Sequence, residues 1–388
     1  MKQSKRIRIL LTVPHLNRTQ SPYKEMMAIA RHLNREDFDL TICALRNGGH
    51  EETGPVLDCL GIPWFVTIFR TRKTTLAEFK VVYRGQKEID RRGPFDIQHS
   101  LDFTSSPVEA ISARMRSRRY VYNQRNMNEN GHPFFLRMKF RFSNRIVAIA
   151  NHVHKFLLKE HAPASKLVKI FNGIDLEQAD LEFSRTTSAP GNMILVLGQI
   201  EARKRHQDII KAMPLILKRQ PEMHLAIAGQ VYDQAYLADL RQLVEELGLQ
   251  GKVNFLGGRD DVPELMRQSK ALVLCSESEG LPWVILEAMA ARVPFVGSDI
   301  LANREVVENE RTGLLSPLGD PGGYAESIER LMTNPSLASR LTSEARAMVE
   351  RTFSAVVMVR QTEKMYREMM LIRRPDPVSA GLVAHRAK

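Results

Sequence analysis

Two glutamates eight positions apart, Glu279 and Glu287, bracket the stretch of this 388-residue chain best suited to chemistry. Glu287 is the single charge in the run Leu281-Pro282-Trp283-Val284-Ile285-Leu286-Glu287-Ala288-Met289-Ala290-Ala291. Residues 271–275 before it form a continuous apolar run of strand type, and Ser276-Glu277-Ser278-Glu279-Gly280 then reads as a turn. Pro282 falls where the first helical residue is expected, a position at which its missing N–H costs nothing. A helix apolar all round is expected to be buried, and a carboxylate carried into it needs strong donors or takes up a proton. Hydroxyls of a ligand reaching into a cleft would supply them. The unpaired N–H groups at residues 281–284 make a seat for phosphate. If most of the span is helical, the two carboxylates lie roughly 10 Å apart at ~1.5 Å per residue, which suits two polar ends of one ligand with phosphate between them. The alternative is a Glu287 satisfied by a neighbouring arginine in the core.

The elements that must position these residues follow from hydrophobic patterning. Strand-type runs fall near residues 7–13, 40–45, 64–69, 96–99, 120–122, 146–150 and 168–171 in the first half. In the second half they fall near 193–197, 225–228, 253–256, 271–275, 294–297 and 313–315. Met193-Ile194-Leu195-Val196-Leu197 is apolar on both faces, as strands of a covered parallel sheet are. Helical patterns lie between, as at 235–247 and 263–270, and this alternation predicts an α/β chain of two Rossmann-like, doubly wound domains facing a cleft. The polar stretch 180–192, without periodicity, is the expected linker. The domains are therefore taken as 1–180 and 181–352, with an amphipathic helix over 353–374 returning to the first domain and a frayed tail over 375–388.

Composition narrows the setting. The chain is 43% hydrophobic and 26% charged, and no apolar stretch approaches the ~20 residues that span a bilayer. The basic start is followed by an apolar run interrupted by Arg8 and ended by Pro14-His15, which predicts a first strand rather than a signal peptide. Cys43, Cys59 and Cys275 lack paired or metal-ligand spacing and read as reduced core residues of a cytoplasmic protein. Residues 1–180 hold 30 Lys+Arg against 18 Asp+Glu, so one half carries the entire net charge of +12. Its densest patch, residues 114–145, has nine basic residues and one acid, with Phe134, Phe135, Met138, Phe140 and Phe142 interleaved in its second part. Arg137, Lys139 and Arg141 are expected there to meet an anionic acceptor or membrane surface, against the alternative of a solvated basic face.

Taken together the motifs resemble the retaining glycosyltransferases of family 4, which share the GT-B fold. Ser276-Glu277-Ser278-Glu279-Gly280-Leu281-Pro282 with Glu287-Ala288-Met289-Ala290 is similar to that family's glutamate–seven–glutamate signature. Ala150-Asn151, Phe171-Asn172-Gly173-Ile174-Asp175, Gly198 through Lys204 and Asn254-Phe255-Leu256-Gly257 agree in order and spacing. The resemblance implies that Glu287 holds the donor ribose and that Glu279, with backbone of Gly280 and Leu281 beside Pro282, holds the donor sugar near its reacting face. It implies that Lys204 neutralises the diphosphate and that His99 faces donor sugar and acceptor. Each has a plain counterpart: Lys204 as surface in a basic run, and His99 as a satisfied core histidine. Where the family has an arginine the chain has Gln199, a place Arg203 is expected to fill.

The expected function is metal-independent, retaining transfer of a hexosyl group from a UDP-, GDP- or ADP-sugar, with no cofactor. The acceptor is expected to be lipid-linked or a saccharide, in bacterial surface polysaccharide or lipopolysaccharide synthesis, with peripheral contact to an anionic membrane and no nucleic acid partner. A nonenzymatic anionic-lipid or nucleic-acid binding protein, a nucleotide-sugar epimerase and a phosphorylase are the rival readings; the glutamate pair with Lys204 argues against the first, and the glutamate pair with the Asn172–Asp175 junction against the other two.

Overall fold

The computed structural model describes residues 6–18, 21–68, 76–101, 104, 106–125, 133–187, 189 and 191–372. By its contacts the chain divides into two units, residues 1–171 with 358–388, and residues 172–357.

The first unit carries strands β1 (Ile7–Val13), β2 (Phe38–Ala44), β3 (Trp64–Val66), β4 (Ile97–Ser100), β5 (Arg119–Gln124), β6 (Arg145–Ala148) and β7 (Leu167–Lys169). They form one parallel sheet in the order β3-β2-β1-β4-β5-β6-β7. The second carries β8 (Met193–Leu197), β9 (His224–Ala228), β10 (Val253–Gly257), β11 (Ser269–Leu274), β12 (Phe295–Ser298) and β13 (Leu314–Ser316). These too are parallel, in the order β10-β9-β8-β11-β12-β13. Each sheet grows from its first strand to one edge and then returns to build the other. The reversal lies between β1 and β4 in one and between β8 and β11 in the other, the switch points at which doubly wound sheets bind ligands beyond their strand C-termini.

Burial explains the strands. All residues of β8 and of β5 are buried, because helices cover both faces of these central positions. At the edge, β10 buries its first residue alone. The second core gathers Ile194, Val196, Ile209, Met213, Leu225 and Ile227 around β8. In the first unit Leu10, Cys43, Leu45, Phe65, Ile89 and Phe95 pack together.

Four expectations need correction. The stretch 180–192 is not a connection between units: helix Leu176–Ser184 takes in Asp180, whose carboxylate pairs with Arg346 at 2.7 Å inside the second unit. The chain instead leaves the first unit after Phe171 and re-enters it at Met358. The helix expected over 263–270 is Val262–Gln268, because Ser269 and Lys270 already belong to β11. Cys59 is exposed at the end of helix His50–Cys59, whereas Cys43 and Cys275 are buried thiols. Pro282 caps the helix Trp283–Ala290 from outside instead of opening it.

The last helix, Ala355–Leu371, returns to the first unit as its amphipathic pattern foretold. Tyr366 is fully buried beside Phe38, ring centroids 5.8 Å apart. Glu363 accepts from the Asn34 backbone N–H at 2.8 Å, and Arg367 pairs with Asp37 at 2.7 Å. The expected end of this helix at Arg373-Arg374-Pro375 and the tail lie outside the described residues.

Among the described residues no helix is long and apolar enough to cross a membrane.

Candidate functional site

The second unit's site is built on the C-terminal ends of β8 and β11. After β8 the chain turns at Gly198, and a methyl group on neighbouring Gly229 would stand 1.7 Å from the Gly198 carbonyl oxygen. This crossing tolerates glycine alone. The short turn Ala202–Lys204 follows, and the Lys204 stem folds back over Gly198, its Cε 3.8 Å from where a Cβ would stand. The Glu277 N–H donates to the Arg203 carbonyl at 3.0 Å, tying this turn to the loop after β11.

That tie brings the charges together. Lys204 Nζ donates to Glu279 Oε1 at 2.5 Å, with both side chains largely buried at 14% and 11% exposure. Arg203 stands 3.6 Å from the other Glu279 oxygen, donates to the Ser278 carbonyl, and pairs with Glu201 at 2.5 Å. Arg205, in left-handed backbone at φ 51, pairs with Asp208 at 2.8 Å. Every cation of the run 203–205 therefore faces a carboxylate, and Lys204 is no ordinary surface residue. A diphosphate entering here must compete with Glu279 for the ammonium. Removing either member of so covered a pair leaves a charge with poor solvation, which costs a few kcal/mol.

Beside this pair the chain runs through Gly280, buried Leu281 and Pro282 into Trp283–Ala290. Glu287 lies one turn into that helix. The helix is not buried all round: Val284 and Glu287, three apart, form a half-exposed stripe while Trp283, Ile285, Leu286, Ala288, Met289 and Ala290 are buried. Glu287 is thus a carboxylate at a surface rather than one carried into the core. Since helix begins at Trp283, the span between the two glutamates is only half helical, and the spacing derived from a helix throughout does not apply. His206, first residue of helix His206–Arg219, is buried with both ring nitrogens unpartnered. Burial and, secondarily, nearby Lys204 lower its pKa to about 4, so it is neutral at physiological pH. Nothing in its sequence context marks it. Asp261, next to Asp260 in the chain, stands at the N-cap of helix Val262–Gln268 and pairs with Arg259. Among the described residues no group of three or more His, Cys, Asp or Glu is placed to hold a metal ion.

His99, in β4 of the first unit, is 1% exposed. Its Nδ1 lies 2.6 Å from the Tyr366 hydroxyl and its Nε2 2.7 Å from Asn123 Oδ1. The Asn123 amide nitrogen donates onward to Glu25, which Arg125 also pairs. An amide oxygen only accepts, so Nε2 carries the proton and Nδ1 accepts from Tyr366. Burial, opposed by the Asn123 hydrogen bond and reinforced by Arg125, lowers the His99 pKa to about 4. Both nitrogens are occupied and the ring is enclosed. This is the satisfied core histidine, not one offering a nitrogen to a sugar.

The basic patch divides. Arg116 and Arg118 pair with Asp90, and Arg125 with Glu25. Buried Arg119 donates to the Met370 and Ile372 carbonyls at 3.2 and 2.6 Å. Lys139, expected to face a membrane, is buried, donating to the Thr104 carbonyl at 2.8 Å with Nζ 3.9 Å from the Tyr122 ring centre. Its exclusion follows from helix geometry: Leu136, Lys139 and Phe140 share the inward stripe of helix Pro133–Phe142. Arg137 and Arg141 remain exposed.

Comparison with known proteins agrees with this architecture. Residues 178–348 match the family model for glycosyl transferases group 1, and residues 26–178 that for glycosyltransferase family 4. The chain belongs to this family. It is 27% identical over 229 residues to N-acetyl-alpha-D-glucosaminyl L-malate synthase of Bacillus anthracis, covering 58% of each chain. It is 32% identical over 210 residues to an exopolysaccharide phosphotransferase of Streptomyces coelicolor, covering 53% of this chain and 22% of that one. The chain thus spans well under two thirds of these relatives. Among solved structures, Anabaena HepE in complex with UDP and glucose superposes with a TM-score of 0.78 at 20% identity, over 92% of this chain and 99% of that one. This likeness shows the GT-B glycosyltransferase fold.

Proposed function

We propose that this glycosyltransferase moves a hexosyl group from a nucleoside-diphosphate sugar to an acceptor hydroxyl with retention at the anomeric carbon. The observation that carries this reading is the Lys204–Glu279 pair, held at 2.5 Å beside the entry to helix Trp283–Ala290. Breaking the sugar–phosphate bond leaves its electron pair on the diphosphate. Lys204, Arg203 and the positive end of that helix stabilise the charge as it develops, without calling on a divalent ion. Glu279, released from Lys204 as phosphate takes the ammonium, turns to the donor sugar; Gly280 and Leu281 let backbone approach it, and half-exposed Glu287 takes the ribose hydroxyls. His99 acts by holding β4 to the final helix through Tyr366 and touches no substrate.

The UDP and glucose named with the Anabaena structure support a sugar-nucleotide donor. The exopolysaccharide named with the Streptomyces relative supports a saccharide acceptor in surface-polysaccharide assembly. A lipid-linked acceptor, lipopolysaccharide assembly and a cytoplasmic setting with peripheral membrane contact are part of the same proposal.

The test is single-turnover assay of released nucleoside diphosphate across UDP-, GDP- and ADP-sugars. Glu279→Gln keeps the shape and an acceptor for Lys204, so donor affinity is expected to stay within a few fold while turnover falls about a hundredfold. Undiminished turnover removes Glu279 from the mechanism. Activity lost in chelator and restored by Mg²⁺ overturns the metal-free reading.

A further inference from the structure

Once the paired members of the basic patch are set aside, Arg114, Arg137, Arg141 and Arg145 remain, and they line one open cavity of about 1310 Å³ together with Lys166. Among the described residues no carboxylate lines it, and none of these four arginines has a carboxylate partner. Cations in the last turn of a helix are commonly explained by the helix dipole, and Arg114 and Arg141 fit that account. Arg145 opens β6 and does not. Lys166 already fills the capping role, donating to the Phe140 and Arg141 carbonyls at 3.0 Å. Burial and repulsion from Arg114, Arg141 and Arg145 hold its pKa below the ordinary lysine value. The cluster is thus a concentration of like charge that the fold leaves unbalanced, a state an anion relieves.

Its place in the topology separates it from the reaction. The lining comes from the ends of helices Val108–Met115 and Pro133–Phe142, the start of β6, the residues just before β7, and Ile372 after the last helix. All belong to the N-terminal edge of the strands in the first unit. Doubly wound sheets place substrates beyond the opposite, C-terminal edge, about 13 Å away along a four-residue strand. The same N-terminal edge carries large exposed apolar side chains beside lining residues: Met115 next to Arg114, and Leu371, 88% exposed, next to Ile372. The chain after Ile372 holds four Lys+Arg against one Asp and is itself basic.

We propose that this cavity binds phosphate headgroups of an anionic bilayer, with Met115 and Leu371 entering the interface. It rests on the proposed membrane contact and specifies the surface that makes it: a cavity remote from the acceptor's reacting end, in which Arg137 and Arg141 take part and Lys139 does not. Guanidinium forks suit phosphate oxygens, and apolar side chains beside a basic hollow suit the headgroup boundary.

Co-sedimentation with phosphatidylcholine vesicles, with and without phosphatidylglycerol, at low and high salt tests this. Wild type is expected to bind the anionic vesicles in a salt-sensitive way and to ignore the neutral ones. Arg137→Glu/Arg141→Glu/Arg145→Glu is expected to lose about a hundredfold in vesicle affinity. The charge-matched Lys211→Glu/Lys218→Glu/Arg241→Glu, exposed in the second unit, is expected to lose less than about threefold. Should the first triple fail to fold, Arg137→Gln/Arg141→Gln, both exposed, is expected to lose about tenfold. Wild type that ignores anionic vesicles at low salt, or equal losses in both triples, overturns the proposal. So does binding of heparin that the pocket triple abolishes while vesicles are ignored, which reassigns the cavity to a soluble polyanion. Donor titration of the wild type separates the readings: a sugar nucleotide bound without vesicle binding sinks the cavity alone.

Discussion

At the scale of single residues the molecule distinguishes charge that is consumed by the fold from charge left for a ligand. Type and spacing place Glu279 in a loop ahead of Gly280, Pro282 and a helix start, and it stands there; Lys204 follows from its distance to Gly198. Their mutual pairing was not legible, because it depends on a backbone tie between two loops 75 residues apart. His99 shows the opposite case. It lies where a functional histidine is expected, yet Asn123 and Tyr366 close around it from residues 24 and 267 positions away. Its enclosure has a measurable consequence. With a folded pKa of about 4 against an ordinary 6.5, the unfolded state binds more protons between those values. Stability is therefore full above pH 6.5, falls as pH drops toward 4 and then levels. Between pH 6.5 and 5 the loss is about 2 kcal/mol per such histidine, and His206 contributes in the same window. Urea unfolding of His99→Gln is expected to lose about half of the wild-type pH slope between pH 6.5 and 5; an unchanged slope contradicts the enclosed, neutral ring.

At the scale of elements, strands were the most readable feature. A parallel strand covered on both faces must be apolar throughout, so runs such as Met193–Leu197 announce themselves. Helix ends were less so: Pro282 caps from outside, and a polar face made helix Leu176–Ser184 look like a linker although it packs beside Trp283–Ala290. Lys139 was misread because charge was weighed before its place on the inward stripe with Leu136 and Phe140. The glycines at the ends of β8 and β9 give a test at this scale. Gly229→Ala drives a methyl group into the Gly198 carbonyl, backbone against backbone, and is expected to cost about 2–4 kcal/mol. Because Lys204 folds over Gly198, donor affinity should fall together with the melting temperature. A Gly229→Ala protein with unchanged melting and binding contradicts the close crossing.

At the scale of the whole molecule, the lopsided sequence charge is not one uniform field. The first unit spends Arg8, Arg118 and Arg125 on internal carboxylates and keeps four arginines at one edge of its sheet. The second unit, with 19 Lys+Arg against 26 Asp+Glu over residues 172–357, is acidic in sum and holds the pair on which the proposed chemistry turns. The most direct measurement is isothermal titration of wild type and Lys204→Met, full-length, with UDP-, GDP- and ADP-sugars, beside a melting curve of each protein without ligand. Methionine keeps the stem over Gly198 and removes the charge. At least one sugar nucleotide is expected to bind wild type, and the variant, still folded, is expected to bind it about tenfold to a hundredfold more weakly, the loss of one charge-assisted contact. No binding by any sugar nucleotide, or equal binding by Lys204→Met, contradicts the central claim that Lys204 leaves Glu279 to seat the donor diphosphate.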